Sequence, residues 1–298
     1  MIKKILGILA ALLALFVVMI GGSIGFAAVQ LEADLGHRFE WEAGTVPVPL
    51  IPYEERTITT ADGVRLATWS IPVAEPKAVV ILLHGFEAFG GKAEMIPLAE
   101  LLYDAGYSTF LIDFRANGES EGKEVTLGVK EWQDAETAYD MVAAMPENQN
   151  VPIGFLGDSM GAVTAIIAAG HTGKGDFVIA NVPFANYRRL LAYQANVQGF
   201  GWLPGVGTFM RVAAYSSLGR EYPEFNPDQL ITNIHVPIFI GWSEDDEVIG
   251  PNQGDVLFER ANEPKVSFES GVGHLVLEKD WGRFSNAVLD FLDQYAKK

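Results

Sequence analysis

The sequence contains no cysteine among its 298 residues. That absence excludes disulfides, thiolate catalysis and cysteine-ligated zinc or iron–sulfur sites, although it is compatible with either redox compartment. Basic residues are also scarce, since 21 Lys and Arg stand against 38 Asp and Glu for a formal net charge of −17. A chain this acidic repels phosphate backbones, so we expect no nucleic-acid partner. Apolar residues make up 49% and charged residues 20%, which favours a folded domain with a sizeable core over disorder.

Sequence motifs for metals and nucleotide cofactors are also missing. The sequence has no H-E-x-x-H, EF-hand or dinucleotide-binding pattern. Gly170–Gly175 is similar to a phosphate-binding loop, but Gly175 stands where that loop requires Ser or Thr. We therefore expect neither a metal nor a cofactor.

The first 31 residues differ from the rest of the chain. No charge interrupts the run from Ile5 to Leu31, which exceeds the ~20 apolar residues that a membrane-spanning helix needs. We predict a transmembrane anchor in residues 1–31, with a cleaved signal peptide as the alternative because small residues surround Ala27. Lys3 and Lys4 would keep the N-terminus in the cytoplasm and place the following domain outside it. In the alternative, the domain is secreted after cleavage.

Residues 32–55 contain three prolines and no periodicity, which is typical of a linker, and we assign 56–298 to one domain. That domain begins with a hairpin whose turn is Asp62-Gly63. Short apolar runs then alternate with helical patterns. Strands are predicted at Ala78–Leu83, Tyr107–Phe114, Val151–Leu156, Phe177–Val182, Val236–Gly241 and Val266–Glu269, and helices at Glu94–Ala105, Lys130–Met145, Met160–Ala169, Gln253–Asn262 and Trp281–Tyr295. This alternation predicts an α/β fold, a mostly parallel twisted sheet with helices on both faces.

One aromatic- and glycine-rich segment, about 184–234, interrupts the alternation. We interpret it as a short cap inserted over the carboxyl edge of the sheet, where open α/β sheets bind ligands. The alternative is helical decoration that makes no substrate contact.

The pattern Gly-x-Ser-x-Gly occurs twice, around Ser159 and around Ser120. A nucleophilic serine needs a sharp turn between a strand and a helix, which lifts its hydroxyl out of the backbone. Ser159 follows the predicted strand and precedes a helix of small residues, so it is the candidate nucleophile. Ser120 lies between two glutamates, which would oppose a developing oxyanion, and we interpret it as a chance match.

A serine hydroxyl needs a general base, and the base needs a carboxylate that orients it. Of the five histidines, only His274 follows the last predicted strand, at the same edge of the sheet as Ser159. The strand that ends at Gly241 runs into an acidic cluster, in which Asp246 or Asp245 could orient the base. The order Ser, Asp, His along the chain is that of the α/β-hydrolase triad.

The chain resembles the α/β-hydrolase superfamily, specifically membrane-tethered serine hydrolases with a short cap, from about Arg56 to Tyr295. The resemblance rests on five segments taken together: Leu83-His84-Gly85-Phe86, Asp113 to Ser120, Gly157 to Gly161, Asp245 to Val248, and Gly273-His274. It departs from the family at Ala116-Asn117, where Gly-His is commoner. The resemblance favours Asp246 over Asp245 as the triad acid.

The resemblance also implies an oxyanion hole formed by the backbone N–H groups of Phe86 and Met160, with His84 orienting the loop that carries Phe86. Asp134 is interpreted as a solvated or capping carboxylate. We expect a serine hydrolase that cleaves esters or thioesters of a small-molecule or lipid-like acyl substrate through an acyl-enzyme. The alternatives are a serine peptidase of the prolyl-oligopeptidase type, with Glu87 binding a peptide amine, and a catalytically silent binding module.

Overall fold

The computed structural model describes residues 22, 38–42, 44–88, 90–199, 201–202 and 222–296. The predicted anchor lies outside these residues except for Gly22, and the predicted cap lies only partly within them. No helix in these ranges is both long enough and apolar enough to cross a membrane. The division into anchor, linker and catalytic domain therefore stays a prediction.

The strands of the described ranges form one eight-stranded sheet in the order β1-β2-β4-β3-β5-β6-β7-β8. Their bounds are β1 Glu54–Thr59, β2 Arg65–Ile71, β3 Val79–Leu83, β4 Ser108–Ile112, β5 Ile153–Asp158, β6 Val178–Asn181, β7 Ile238–Ser243 and β8 Lys265–Ser270. Strand β2 pairs antiparallel with both β1 and β4, and the pairs from β4 to β8 are parallel. The predicted mostly parallel sheet is thus confirmed.

Helices connect the parallel strands and cover the sheet. Their bounds are α1 Ile96–Asp104, α2 Glu131–Ala144, α3 Met160–Thr172, α4 Tyr187–Val197, α5 Pro227–Leu230, α6 Gly254–Arg260, α7 Val276–Lys279 and α8 Trp281–Tyr295. A 3₁₀ turn, Gly91–Met95, precedes α1.

Two apolar cores lie on opposite faces of the sheet. Alternate residues of β3 point to opposite faces, so Ile81 joins the core that contains α2 and α3, while Leu82 joins the one that contains α1 and α8. Helix α8 contributes Phe284, Val288 and Phe291, whose spacing of three to four residues places them on one side of the helix. Because both faces are covered, β3 and β4 are buried along their whole length, and a continuous apolar run rather than an alternating pattern marks them.

The sheet topology brings the candidate functional residues to one edge. Parallel strands end on the same side, and the register pairs Leu83 of β3 with Gly157 of β5, and Asp158 of β5 with Asn181 of β6. The loops that follow β3, β5, β7 and β8 therefore meet at this edge. The first residues of the first and last of these loops, His84 and Gly271, are 187 positions apart in the sequence.

Candidate active site

Ser159 lies in the sharp turn between β5 and α3. Its backbone has φ +50° and ψ −111°, a conformation that non-glycine residues rarely adopt and that the surroundings must enforce. A Cβ at Gly157 would lie 2.1 Å from the backbone oxygen of Gly161, and one at Gly161 would lie 2.0 Å from the backbone oxygen of Leu83. Both glycines are therefore required for the close approach of α3 to its neighbours. The Ser159 N–H donates to the Asn181 oxygen at 2.9 Å, which ties the turn to β6.

His274 reaches Ser159 from the loop after β8. Its Nε2 lies 2.9 Å from the Ser159 Oγ, and its Nδ1 lies 2.7 Å from the Asp246 Oδ2. Because a carboxylate can only accept, Nδ1 carries the hydrogen that is donated to Asp246. In the neutral ring, Nε2 is then the acceptor for the Ser159 hydroxyl.

Asp246 is held by its second oxygen. The buried carboxylate accepts the backbone N–H groups of Val248 and Ile249 at Oδ1, each at 2.9 Å, and it directs Oδ2 at His274. The neighbouring Asp245 is exposed. Of the two acids that the sequence left open, the structure places Asp246 against the imidazole.

The carboxyl groups around His274 raise its pKa. Burial lowers its pKa, but the hydrogen bond and charge of Asp246, together with the charges of Asp158 and Glu247, outweigh burial and raise the pKa above its ordinary value. The ring is thus poised to take up a proton and to be stabilised as an imidazolium.

The loop after β3 passes beside the serine. A Cβ added to Gly85 would lie 3.7 Å from the Ser159 Cβ, which shows how close this backbone comes. The buried His84 ring accepts the Phe114 N–H at Nε2, at 3.1 Å, and its Nδ1 donates to the Gly85 oxygen at 2.7 Å. Burial lowers the pKa of His84, which keeps the ring neutral in this double role. Met160 begins α3, so its N–H is among the amides that a helix leaves without an internal acceptor.

Two carboxyl groups beside these residues were missed by sequence reasoning. Glu94 accepts the Gly85 N–H at Oε2, at 2.8 Å, and Asp158 accepts the Asn181 side-chain amide at 2.6 Å. Burial, followed by the charge of Asp158, raises the pKa of Glu94 to about 7. Burial also raises the pKa of Asp158 to about 6, despite the hydrogen bond from Asn181. Asp158 had a signal, its place inside the Gly-x-Ser-x-Gly pattern, whereas nothing local marked Glu94.

Ser120, the other serine in a Gly-x-Ser-x-Gly pattern, has a different environment. It is buried, its hydroxyl donates to the Asp113 backbone oxygen at 2.6 Å, and its Oγ accepts the Ala67 N–H at 2.9 Å. These bonds tie the loop after β4 to β2. A serine whose hydroxyl is bound to a backbone oxygen and a backbone N–H holds the loop in place.

The interpretation of Asp134 as a solvated or capping carboxylate is wrong. Asp134 is fully buried and accepts the Arg115 guanidinium at 2.7 Å and the Arg115 backbone N–H at 2.9 Å. Burial raises its pKa to about 7, although Arg115 acts in the opposite direction. Among the residues that the structure describes, no group of three or more His, Asp or Glu is arranged to hold a metal ion.

Comparison with known proteins gives matches of three kinds. A protein-family model described as serine aminopeptidase, S33, matches residues 74–205. The uncharacterized protein YqkD of Bacillus subtilis is 27% identical over 244 residues, which cover 79% of this chain and 78% of YqkD. The lysophosphatidylserine lipase ABHD12 of Danio rerio is 26% identical over 229 residues, 72% of this chain but only 58% of that protein.

Solved structures extend the likeness over most of the fold. The Pyrococcus furiosus esterase Pf2001 superposes with a TM-score of 0.73 at 24% identity, covering 88% of this chain and 98% of the esterase. The Exiguobacterium antarcticum esterase EaEST superposes with a TM-score of 0.60 at 15% identity, covering 80% of this chain and all of the esterase. At these identities the superpositions are evidence for a shared fold.

Proposed function

We propose that the chain is a serine hydrolase of the α/β-hydrolase superfamily, and that it cleaves carboxylic esters or thioesters through an acyl-enzyme intermediate. The observation that carries the proposal is the pair of hydrogen bonds that links Asp246 through His274 to Ser159. A serine, a base within reach and a carboxylate that orients the base form the arrangement that nucleophilic acyl transfer requires.

In the proposed mechanism, the Ser159 oxygen attacks the substrate carbonyl while His274 Nε2 takes its proton. The carbonyl oxygen becomes an oxyanion that accepts the N–H groups of Phe86 and Met160, each worth on the order of 10²–10³ in rate. The imidazolium then gives its proton to the departing alkoxide or thiolate, which leaves the acyl group on Ser159. Water, deprotonated by His274, attacks the acyl-enzyme in the same way, and the acid and the free hydroxyl are released.

A fluorophosphonate probe, which modifies only an activated serine, tests the proposal. We expect the wild-type protein to be labelled and Ser159→Ala to be neither labelled nor active, since loss of the nucleophile costs on the order of 10⁶ in kcat. Ser120→Ala is the matched control, because it removes the other serine in a Gly-x-Ser-x-Gly pattern and should keep labelling in the folded protein. Labelling of Ser159→Ala at the wild-type rate would refute the assignment. An unlabelled wild-type protein would support a catalytically silent binding module.

An apolar acyl group is the proposed substrate class. Val248 lies two residues after Asp246, and Leu275 lies directly after His274. Each of these apolar side chains is 41% exposed. Each methylene that such a surface removes from water contributes about 0.8 kcal/mol, or roughly fourfold in kcat/KM. A panel of p-nitrophenyl esters should therefore show kcat/KM rising from acetate to longer chains. A maximum at acetate would count against an apolar acyl site.

A peptidase activity is the second candidate, favoured by the match of residues 74–205 to the S33 aminopeptidase model. The triad geometry serves amide and ester cleavage alike, so the substrate decides between them. Aminoacyl p-nitroanilides measured beside the ester panel discriminate the two. Turnover of an anilide with a kcat/KM above that of every ester would favour the peptidase.

We also propose that residues 1–31 tether the protein to a membrane, with the catalytic domain on the extracytoplasmic side. The uncharged run from Ile5 to Leu31 and the preceding Lys3 and Lys4 support this proposal. Alkaline carbonate should leave the full-length chain in the membrane pellet, and detergent should release it. Recovery in the carbonate supernatant of a shortened chain would instead support secretion after cleavage.

A further inference from the structure

The amide that the proposed function assigns to the oxyanion belongs to the peptide unit between Gly85 and Phe86. Glycine restricts φ and ψ less than any other residue, so this peptide plane would rotate readily unless its neighbours held it. The His84 Nδ1 holds one end of the unit, since it donates to the Gly85 oxygen at 2.7 Å. One hydrogen bond to an oxygen leaves rotation about the Gly85 N–Cα bond open.

Glu94 supplies the second restraint. Its Oε2 accepts the Gly85 N–H at 2.8 Å, which holds the preceding peptide unit. With the N–H of Gly85 bound by Glu94 and its oxygen bound by His84, both torsions of Gly85 are restrained. The direction of the Phe86 N–H is then determined by two side chains, that of His84 at the start of the loop and that of Glu94 in the 3₁₀ turn Gly91–Met95.

The location of Glu94 suits this task. It lies in the 3₁₀ turn Gly91–Met95, whose remaining residues are buried, so its backbone is anchored in the core. The charges of Asp158 from β5, Glu278 from α7 and His274 from the loop after β8 act on its pKa. Because a carboxyl keeps an acceptor oxygen whether it is charged or neutral, the bond to Gly85 survives the titration of Glu94.

We propose that Glu94 is a positioning residue for the oxyanion hole, which fixes Gly85 so that the Phe86 N–H points at the oxyanion. The inference rests on the proposed serine-hydrolase function. It assigns Glu94 no contact with the substrate, only control of a group that makes one.

Three substitutions separate the hydrogen bond from the charge. Glu94→Gln keeps an acceptor oxygen and removes the charge, Glu94→Ala removes both, and Glu94→Asp keeps the charge but withdraws the oxygen by one methylene group. Glu100→Ala is the matched control. Glu100 lies in α1, directly after the 3₁₀ turn that carries Glu94, and it accepts the backbone N–H of Leu50 at 2.9 Å, away from the site.

We expect Glu94→Ala to lower kcat by roughly 10- to 100-fold, part of the value of one oxyanion donor, with KM changed less than about threefold. The rate of fluorophosphonate labelling should fall in parallel, because the phosphoryl oxygen of the probe gains negative charge in the same oxyanion hole while serine displaces fluoride. Glu94→Gln and Glu100→Ala should stay within about threefold of the wild type. Glu94→Gln and Glu94→Ala both remove the negative charge that Glu94 carries near His274 above its pKa of about 7, so both should move the acid limb of the pH profile in the same direction, to lower pH.

Wild-type kcat in Glu94→Ala, or equal losses in Glu94→Ala and Glu94→Gln, would overturn the inference. If Glu94→Ala does not fold, the other two variants decide, because Glu94→Asp should lose more kcat than Glu94→Gln and the reverse order would refute the role. Failure of the proposed function is a separate outcome, since it leaves the wild-type protein itself unlabelled.

Discussion

Replacing Asp246 with asparagine tests how the carboxylate orients His274. The Oδ1 of Asp246 accepts two backbone N–H groups, from Val248 and Ile249, while Oδ2 accepts from His274 Nδ1. An asparagine must keep its single oxygen towards the two amides, so it turns its NH₂ towards Nδ1. Nδ1 then becomes an acceptor and the ring hydrogen moves to Nε2. In that tautomer the imidazole cannot take the proton of Ser159.

The size of the expected loss in kcat follows from the free-energy cost of turning the asparagine side chain round. Only in that opposite orientation does its oxygen face Nδ1 and preserve the catalytic tautomer of His274. Turning the asparagine round would leave both amides facing an NH₂ group, at about 1–3 kcal/mol for each unsatisfied donor, or roughly 2–6 kcal/mol in all. At about 1.4 kcal/mol per factor of ten, only a fraction between roughly 1 in 30 and 1 in 10⁴ of the molecules is competent. We therefore expect Asp246→Asn to lower kcat by roughly 30-fold to 10⁴-fold.

The assay compares kcat and KM of the wild type, Asp246→Asn and Asp245→Asn on a p-nitrophenyl ester, with thermal unfolding as a check on folding. Asp245 is exposed and one residue away, so its variant carries the same chemical change and should stay within about threefold of the wild type. Retention of kcat within fivefold in Asp246→Asn would refute the tautomer argument. Equal losses in the two variants would refute the assignment of the acid.

Three further predictions concern the turn, the base and a buried ion pair. Gly161→Ala should lower the free energy of unfolding, measured in urea, by more than about 2 kcal/mol, because the added Cβ would lie 2.0 Å from a backbone oxygen of β3. Gly282→Ala is the control and should be tolerated, because a Cβ there would have no atom within 4 Å. The acid limb of kcat/KM against pH should have its midpoint above 6.5, because His274 must be neutral to act as a base and its pKa is raised; a midpoint below 6.5 would contradict this. Arg115→Met should cost about 3–5 kcal/mol of unfolding free energy by leaving Asp134 unpaired, and an added Asp134→Leu should recover part of it; no recovery in the double variant would contradict the pairing.

Much of the fold could be predicted from the sequence because its central strands are buried on both faces. The run Ala78–Leu83 predicted β3, found at Val79–Leu83, and Tyr107–Phe114 predicted β4, found at Ser108–Ile112. Differences of one or two residues at the ends are expected, since the hydrogen bonds that end a strand depend on its neighbours.

The candidate site was predictable where one local pattern carries the chemistry. The glycines around Ser159 are needed because other backbone segments pass too close for a Cβ. Their spacing therefore indicates the turn from the sequence alone. The choice between Asp245 and Asp246 was not readable from the residues alone, because it depends on which carboxylate the following turn encloses. Glu94 and Asp134 act through partners, Gly85 and Arg115, whose proximity arises only in the folded chain.

The proposed nucleophile and base follow strands that differ in their position within the sheet. Ser159 directly follows the central strand β5, whereas His274 follows β8, an outermost strand in which Ser267 and Glu269 are exposed and Phe268 and Ser270 are buried. Border strands open at lower free energy than central ones. Heating should therefore unfold the segment that carries His274 while Ser159 still lies in folded structure. We expect hydrolysis to stop at a lower temperature than that of global unfolding.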